Sequence, residues 1–235
     1  MIINKDVPGY SLQFDIREAT GHDIVLSDQI VIDEMFNENV YDIHDDTFDT
    51  NDTMIDVGAN IGATSILAWT KGARKIIAFE PEQNNYIQLK KNIKLNKLKS
   101  VITPIKLAIA DKVGTSEIFN GQGGSFISES NGAPSELRDK LDVKKESIDT
   151  TTLDLALEDL NKIALLKIDC EGAEYMIIEA ASLDALRKCQ RIVMEYHQTD
   201  EITFGKMIAK LSLVFNLRVF GHYDTFGGQI DGRRY

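Results

Sequence analysis

The stretch Thr53-Met-Ile-Asp-Val-Gly-Ala-Asn-Ile-Gly62 is the most informative part of the sequence. It begins with a short apolar run, Thr53–Val57, and continues into a glycine-containing turn ahead of a helix-like segment. Glycines let the backbone of such a turn approach a ligand closely, and the start of the next helix offers unpaired N–H groups. The stretch therefore predicts a strand, a ligand-binding turn and a helix.

From residue 53 onwards, short apolar runs alternate with longer amphipathic segments, which is typical of βαβ units and a parallel sheet. Further strands are predicted at 75–79, 101–108, 164–168 and 191–196, with an antiparallel pair at 217–221 and 228–234 closing the sheet. Helices are predicted at 63–69, 83–95, 153–160 and 175–186. Upstream, we predict a hairpin formed by 13–16 and 24–26 and a short helix over 29–37, and residues 120–136 predict a Gly- and Ser-rich loop.

The net charge of the 235-residue chain is −11, and it is concentrated near the N-terminus. Residues 1–60 contain 14 acidic and 2 basic residues, whereas the rest of the chain contains 23 and 24. A surface of this kind repels phosphate backbones, so nucleic acid is an unlikely partner on charge grounds. We predict an acidic N-terminal extension over 1–50, packed on a core domain over 51–235.

The amino-acid composition also limits the classes of protein to which this chain can belong. Hydrophobic residues make up 43% of the chain, and no apolar run approaches the length of a membrane span. The two cysteines are too few for a disulfide framework, and residues 1–5 lack the apolar region of a secretion signal. These features predict a cytoplasmic globular protein with no membrane partner.

Two features at predicted strand ends point to a nucleoside ligand. The turn has the spacing Asp56-x-Gly58-x-x-x-Gly62, which differs from the G-x-G-x-x-G pattern of dinucleotide-binding enzymes. A dehydrogenase is therefore the weakest alternative. Glu80 directly follows the next strand, at the place where an acidic residue accepts hydrogen bonds from ribose hydroxyls.

Three later segments also fall at predicted strand ends. Ala108 ends the third strand, where an adenine ring would meet backbone groups. The segment from 166 to 174 places Lys167, Asp169 and two glutamates at the carboxyl end of the fourth strand, and Glu195 with His197 ends the fifth. Ligands of open α/β sheets bind at this edge.

The segments Met54-Ile-Asp-Val-Gly-Ala-Asn-Ile-Gly62, Ala78-Phe-Glu-Pro81, Leu166-Lys-Ile-Asp-Cys-Glu-Gly-Ala-Glu174 and Glu195-Tyr-His197 resemble those of the FkbM family of S-adenosylmethionine-dependent methyltransferases. The order and spacing match from about residue 30 to 200. The resemblance implies a class I methyltransferase (Rossmann-like) fold, with a seven-stranded, mostly parallel sheet, helices on both faces and an antiparallel last strand. It also implies methylation of a hydroxyl oxygen on a sugar, polyketide or other small molecule.

With that donor, the turn residues are assigned to the methionine and ribose side, Asp56 to orienting the turn and the ammonium group, Glu80 to the ribose and Ala108 to the adenine. The predicted cofactor-binding residues are Asp56, Gly58, Ala59, Asn60, Gly62, Glu80 and Ala108.

Asp169 is the leading candidate for a residue beside the reacting methyl group. It could act as the general base, or it could bind Mg²⁺ together with Glu195, with His197 as a further candidate ligand. His197 is an alternative base because of its ordinary pKa. Lys167 could instead neutralise Asp169 or Glu171, in which case these charges are only an ion-paired cluster.

Two alternatives stay open at this point. An RNA methyltransferase shares the cofactor motifs, and the lysines at 90, 91, 94, 97 and 99 could contact RNA. These lysines are more simply interpreted as the solvated face of a helix. A non-catalytic nucleoside-binding protein could also keep the fold. We further predict that residues 1–50 form an acidic cover near the acceptor, which disfavours anionic acceptors.

Overall fold

The computed structural model describes residues 1–17, 28–49, 51–121, 124–127, 144–224 and 227–235. Its strands are β1 (Ile2–Val7), β2 (Tyr10–Asp15), β3 (Thr53–Val57), β4 (Lys75–Phe79), β5 (Ile102–Ile105), β6 (Ala108–Ala110), β7 (Gly114–Gly121), β8 (Gly124–Ile127), β9 (Lys144–Thr152), β10 (Ile163–Ile168), β11 (Cys189–His197), β12 (Phe215–His222) and β13 (Gly227–Arg234). The helices are α1 (Asp28–Asp33), which continues into a π-helical turn (Glu34–Glu38), α2 (Ala63–Thr70), α3 (Gln83–Leu95), α4 (Leu153–Ala156), α5 (Glu174–Ala180), α6 (Leu183–Arg187) and α7 (Glu201–Leu211).

The main sheet has seven strands in the order β12-β13-β11-β10-β3-β4-β5. The strands from β11 to β5 are mutually parallel, whereas β13 runs antiparallel to both β11 and β12. Strands β3 and β10 are buried at every position because they have neighbours on both sides and packed layers on both faces. The predicted mostly parallel sheet with an antiparallel strand near its edge is confirmed.

The side chains of the central strands divide the core into two apolar layers. Ile55 and Leu166 belong to the layer covered by α5, α6 and α7. Met54 and Leu165, the neighbours of these residues in sequence, belong to the layer covered by α2, α3 and the N-terminal elements. Because both faces of the sheet are covered, polar groups reach solvent mainly where the strands end.

The described N-terminal residues pack on this core. Phe14 is fully buried in the layer that contains α2 and α3. The backbone of Gln13 exchanges two hydrogen bonds, of 2.9 and 2.7 Å, with the side-chain amide of Asn96 just after α3. The boundary at residue 50 remains a prediction, but the hairpin and the main sheet share one apolar layer.

Two strand predictions are corrected. β2 pairs with β1 across a turn at Gly9, where φ is +82°, so β1 is the hairpin partner of β2. Residues 24–26, the partner predicted from the sequence, lie outside the described part of the chain.

The strand predicted at 101–108 stops at Ile105, because the Leu107 N–H turns back to the Ile105 carbonyl, and Ala108 begins β6. β6 belongs to a separate four-stranded sheet of order β6-β9-β7-β8, which the sequence did not predict. Of the loop predicted at 120–136, the described residues belong to β7 and β8.

Two helix predictions are too long. The helix predicted at 175–186 is interrupted at Ala181, and α6 begins after Ser182, whose hydroxyl accepts the Ala185 N–H at 3.0 Å. α4 starts as expected after Thr152, whose hydroxyl accepts from the Leu155 N–H, but it ends at Ala156. A side-chain cap such as that of Ser182 can therefore begin a new helix inside a segment whose apolar spacing predicts one continuous helix.

Candidate functional site

Four strand ends meet at one edge of the main sheet. Val57 of β3 is in register with Phe79 of β4 and Ile168 of β10, and Ile168 is in register with Met194 of β11. The chain leaves β3 towards β4 on one side and reaches β10 on the other, so a crevice opens where the strand order reverses. Gly58, Glu80 and Asp169 directly follow β3, β4 and β10. Glu195 lies within β11, next to Met194, and so belongs to the same edge.

The turn after β3 is compact and closely packed. The N–H groups of Gly58 and Ala59 both donate to the Phe79 carbonyl at 3.0 Å. Gly58 has φ of +76°, and a Cβ added there would lie 1.8 Å from the Asp169 carbonyl oxygen, so only glycine fits. Gly62 precedes α2 with φ of +90°. Asn60 Oδ1 is buried and has no hydrogen-bond partner among the residues that the structure describes.

Glu80 is held rigidly beside this turn. Its Oε2 accepts the Asn60 N–H at 2.7 Å, and its Oε1 accepts the Glu82 N–H at 2.9 Å. Burial raises the pKa of Glu80 to about 7, although the two backbone hydrogen bonds act in the opposite direction. The carboxyl group is therefore held in one position, and the effect of burial on its pKa outweighs both the backbone hydrogen bonds and the attraction of Lys167.

Lys167 is the buried centre of charge at this edge. Its Nζ donates to the Gly58 carbonyl at 2.7 Å and lies 3.3 Å from Asp56 Oδ1 and 3.6 Å from Asp169 Oδ2. Ser65 donates to the other oxygen of Asp56 at 2.6 Å. Burial by itself lowers the pKa of Lys167, but the two aspartates raise it above its usual value. The ammonium group thus neutralises Asp56 inside the protein and reaches Asp169 at the surface of the crevice.

Asp169 has two differently placed oxygens. Oδ2 accepts a 2.9 Å hydrogen bond from the hydroxyl of Tyr41 and lies near Lys167. Within the described residues, Oδ1 has neither a hydrogen bond nor an ion pair, and the side chain is 28% exposed. Tyr41 was not predicted as a site residue, because a single tyrosine 128 positions from its partner has no motif in the sequence.

His197 lies between two carboxylates. Its Nε2 is 3.2 Å from Glu171 Oε2, and its Nδ1 is 3.2 Å from Glu174 Oε1. Burial lowers the pKa of His197, but hydrogen bonds to both glutamates outweigh burial and raise it to about 11. The imidazole of His197 is therefore protonated at neutral pH. Because a protonated imidazole cannot accept a further proton, this charge state does not favour His197 as the general base.

Glu195 and Ala108 complete the set of predicted residues. Burial and the nearby Asp169 raise the pKa of Glu195 to about 7, while His197 acts in the opposite direction. Ala108 is buried in the same apolar layer as Phe79 and pairs with Thr150 of β9. Its contact with an adenine ring stays a prediction.

The structure gives no support for a Mg²⁺ site. In the part of the chain that the structure describes, no group of three or more His, Cys, Asp or Glu side chains is arranged to hold a metal ion. His197, considered as an additional ligand beside Asp169 and Glu195, has both ring nitrogens engaged by Glu171 and Glu174.

The pH dependence of stability tests the environment of His197. The pKa of His197 is about 11 in the folded state and 6.5 in a free imidazole. The ion pairs of the protonated His197 therefore stabilise the folded protein fully below pH 6.5. This contribution disappears as the pH rises towards 11. We expect His197→Gln to lower the free energy of unfolding more at about pH 6 than at about pH 9 in urea titrations.

The matched control for this measurement is His44→Gln. His44 is 58% exposed and pairs with Asp42 at the surface, where ion pairs contribute little. We expect only a small loss at either pH. An equal loss for His197→Gln at both pH values would contradict the charged state assigned to His197.

The fold and the site together define a class of protein. The strand order and the antiparallel strand β13 are those of class I methyltransferases, and the candidate site residues lie at the carboxyl ends of the parallel strands. The sequence matches the Methyltransferase FkbM domain over residues 56–220, and the chain belongs to this family. The family implies S-adenosylmethionine as the methyl donor.

Similar proteins agree with this assignment. Methyltransferase sdnD of Sordaria araneosa is 26% identical over 196 residues, which cover 71% of this chain and 74% of that protein. A structure of the METTL16 MTase domain has a TM-score of 0.52 at 13% identity, covering 95% of this chain and 74% of its own. The delta-N METTL16 MTase domain has a TM-score of 0.50 at 14% identity, covering 85% and 81%. At these identities the structural likeness shows the fold alone.

The helices of this protein are short. None of those that the structure describes combines the length and the apolar character needed to span a bilayer.

Proposed function

We propose that this protein transfers a methyl group from S-adenosylmethionine to a hydroxyl oxygen of a neutral or cationic small molecule or sugar, and that Asp169 accepts the hydroxyl proton. The divided environment of Asp169 carries this proposal. Tyr41 and Lys167 contact Oδ2, whereas Oδ1 has no partner among the described residues, and the side chain is 28% exposed. A carboxylate is suited to general base catalysis when one oxygen is fixed by protein contacts and the other can accept a proton from the substrate.

The residues beside the crevice fit the expected cofactor. Bound S-adenosylmethionine supplies a methyl group on a positively charged sulfur, together with an ammonium group and ribose hydroxyls. Among the described residues, Asn60 Oδ1 is a buried acceptor without a donor, and Glu80 is a carboxyl group whose pKa burial raises to about 7. We assign Glu80 and Asn60 to polar groups of the cofactor, and the close turn at Gly58, Ala59 and Gly62 to its backbone contacts.

The proton transfer in this proposal is simple. As the new carbon–oxygen bond forms and the carbon–sulfur bond breaks, the acceptor hydroxyl loses its proton to Asp169 Oδ1. Tyr41 and Lys167 stay on Oδ2 during this step. Alignment of the acceptor and removal of its proton are then the main contributions of the protein to the rate.

Acidic side chains of the N-terminal segment support a neutral or cationic acceptor. Burial, the nearby Glu38 and the facing Asp169 together raise the pKa of Glu34 in the π-helical turn. The cluster of Glu34, Asp169 and Glu195 would repel a phosphate or carboxylate on the acceptor.

Transfer of labelled methyl groups tests the acceptor class directly. The full-length protein is incubated with methyl-labelled S-adenosylmethionine and separate fractions of small metabolites, carbohydrates and RNA. We expect label in the metabolite or carbohydrate fraction. Label in RNA alone would overturn the proposal in favour of an RNA methyltransferase, and no binding of S-adenosylmethionine in calorimetry would favour a non-catalytic protein.

Glu80→Gln tests the assignment of the cofactor side. The amide removes the negative charge but keeps an oxygen that can accept one backbone hydrogen bond. Because hydrogen bonds to charged groups contribute about 1.5–3 kcal/mol, we expect the dissociation constant of S-adenosylmethionine to rise at least about tenfold. Calorimetry at about pH 8, where the Glu80 carboxyl group is ionised, measures the change.

Glu158→Gln is the matched control for Glu80→Gln. Glu158 is exposed on the surface after α4, so the same chemical change there should leave the affinity unaltered. An affinity for S-adenosylmethionine that is equal in Glu80→Gln and wild type would remove Glu80 from the cofactor site.

A further inference from the structure

Tyr41 reaches the reaction centre from outside the family domain. It lies upstream of residues 56–220, which match the family, and 128 positions before Asp169. Its side chain is nevertheless buried, with only 4% exposed, and its hydroxyl donates to Asp169 Oδ2 at 2.9 Å. The proton transfer proposed above uses Asp169 but assigns no function to this contact.

A buried ion pair fixes the backbone that carries Tyr41. Arg191 donates through Nη2 to the Tyr41 carbonyl at 2.9 Å and through Nη1 to the Asp42 carbonyl at 2.8 Å. The Arg191 Nε in turn donates to Asp231 Oδ1 at 2.8 Å, and both side chains are almost completely buried. The planar guanidinium therefore ties consecutive carbonyls of the N-terminal segment to β11 and β13.

The Tyr41 hydroxyl is a permanent donor in this position. Burial, followed by the negative charge of Asp169, raises the pKa of Tyr41 well above its usual value, so the phenol stays protonated. The Lys167 ammonium lies over the Tyr41 ring, 5.7 Å from its centroid, and approaches the same oxygen of Asp169. The Tyr41 hydroxyl and the Lys167 ammonium group thus converge on Oδ2 from distant parts of the chain.

We propose that Tyr41 is a positioning residue for methyl transfer, which holds Asp169 Oδ2 so that Oδ1 faces the acceptor hydroxyl. The proposal rests on the proposed role of Asp169 as the proton acceptor. It makes the acidic N-terminal segment part of the catalytic apparatus, through a contact between Tyr41 and the carboxyl end of β10. A carboxylate held in one orientation avoids the cost of reorienting during the reaction.

Tyr41→Phe tests this proposal because it removes the hydroxyl and keeps the ring. We expect kcat to fall about tenfold, while the KM and the calorimetric dissociation constant of S-adenosylmethionine change less than about twofold. Unchanged cofactor affinity also shows that the variant is folded. Tyr235→Phe, which alters an 82% exposed residue at the C-terminus, is the control for loss of a hydroxyl and should leave kcat unaltered.

A double-mutant cycle with Asp169→Asn separates positioning from general structural support. If Tyr41 acts through the carboxylate, Tyr41→Phe should lower the residual rate of Asp169→Asn less than about twofold. The same tenfold loss in both backgrounds, or an unaltered kcat in Tyr41→Phe alone, would overturn the proposal while leaving the role of Asp169 intact. Full activity of Asp169→Asn would overturn both the proposed function of Asp169 and the positioning by Tyr41.

Discussion

Asp169→Asn is expected to lower kcat by about 10²–10⁴-fold, which is the usual contribution of a general base. Asparagine has nearly the same shape as aspartate, and its amide oxygen can still accept the hydrogen bond of Tyr41. Its amide nitrogen, however, cannot take a proton from the acceptor. The loss should therefore fall on the chemical step, because Asp169 lies beside the crevice rather than among the turn residues assigned to the cofactor.

Two measurements check this expectation. Steady-state kinetics with saturating S-adenosylmethionine give kcat, and calorimetry gives the affinity for the cofactor, which should change only a few-fold. Asp159→Asn is the matched control, since Asp159 is exposed beyond α4 and precedes β10, whereas Asp169 follows the carboxyl end of that strand. A kcat for Asp169→Asn within about threefold of wild type would remove Asp169 from the proton transfer.

Lys167→Met is expected to reduce the free energy of unfolding by about 3–5 kcal/mol, the usual cost of removing one partner of a buried ion pair. Methionine matches the length of the lysine stem but carries no charge. Of its contacts with described residues, the fully buried Asp56 would then keep the hydrogen bond from Ser65, and the Gly58 carbonyl would lose the hydrogen bond from Lys167. Urea titrations of the variant and the wild type measure the difference.

A second substitution shows whether the loss comes from uncompensated charge. Adding Asp56→Asn to Lys167→Met neutralises the buried carboxylate, so the double variant should be more stable than Lys167→Met alone. Lys91→Met is the surface control, because Lys91 is 53% exposed beside Asp15 and should contribute less than about 1 kcal/mol. A loss under about 1 kcal/mol for Lys167→Met would contradict the charge arrangement described for this edge.

The parallel sheet was predictable because its strands are buried on both faces. The apolar runs that became β3, β4 and β10 stand out from the polar segments between them, and their ends were predicted within one residue. The pairing of β1 with β2 was missed because apolar and polar residues do not alternate regularly in the sequence of β1, although β2 alternates and buries Leu12 and Phe14. The small sheet containing β6 was missed because the apolar run from 101 to 108 conceals a turn at Leu107.

The sequence by itself determined the family, the order of the core elements and the set of residues at the strand ends. These properties depend on local periodicity and on motif spacing, which can be recognised directly in the amino-acid sequence. Tertiary structure alone decided the electrostatic role of each group. It paired Lys167 with Asp56, placed His197 between two glutamates and brought Tyr41 to Asp169. Charge state and orientation depend on burial and on partners distant in the chain, so they exist only once the chain has folded.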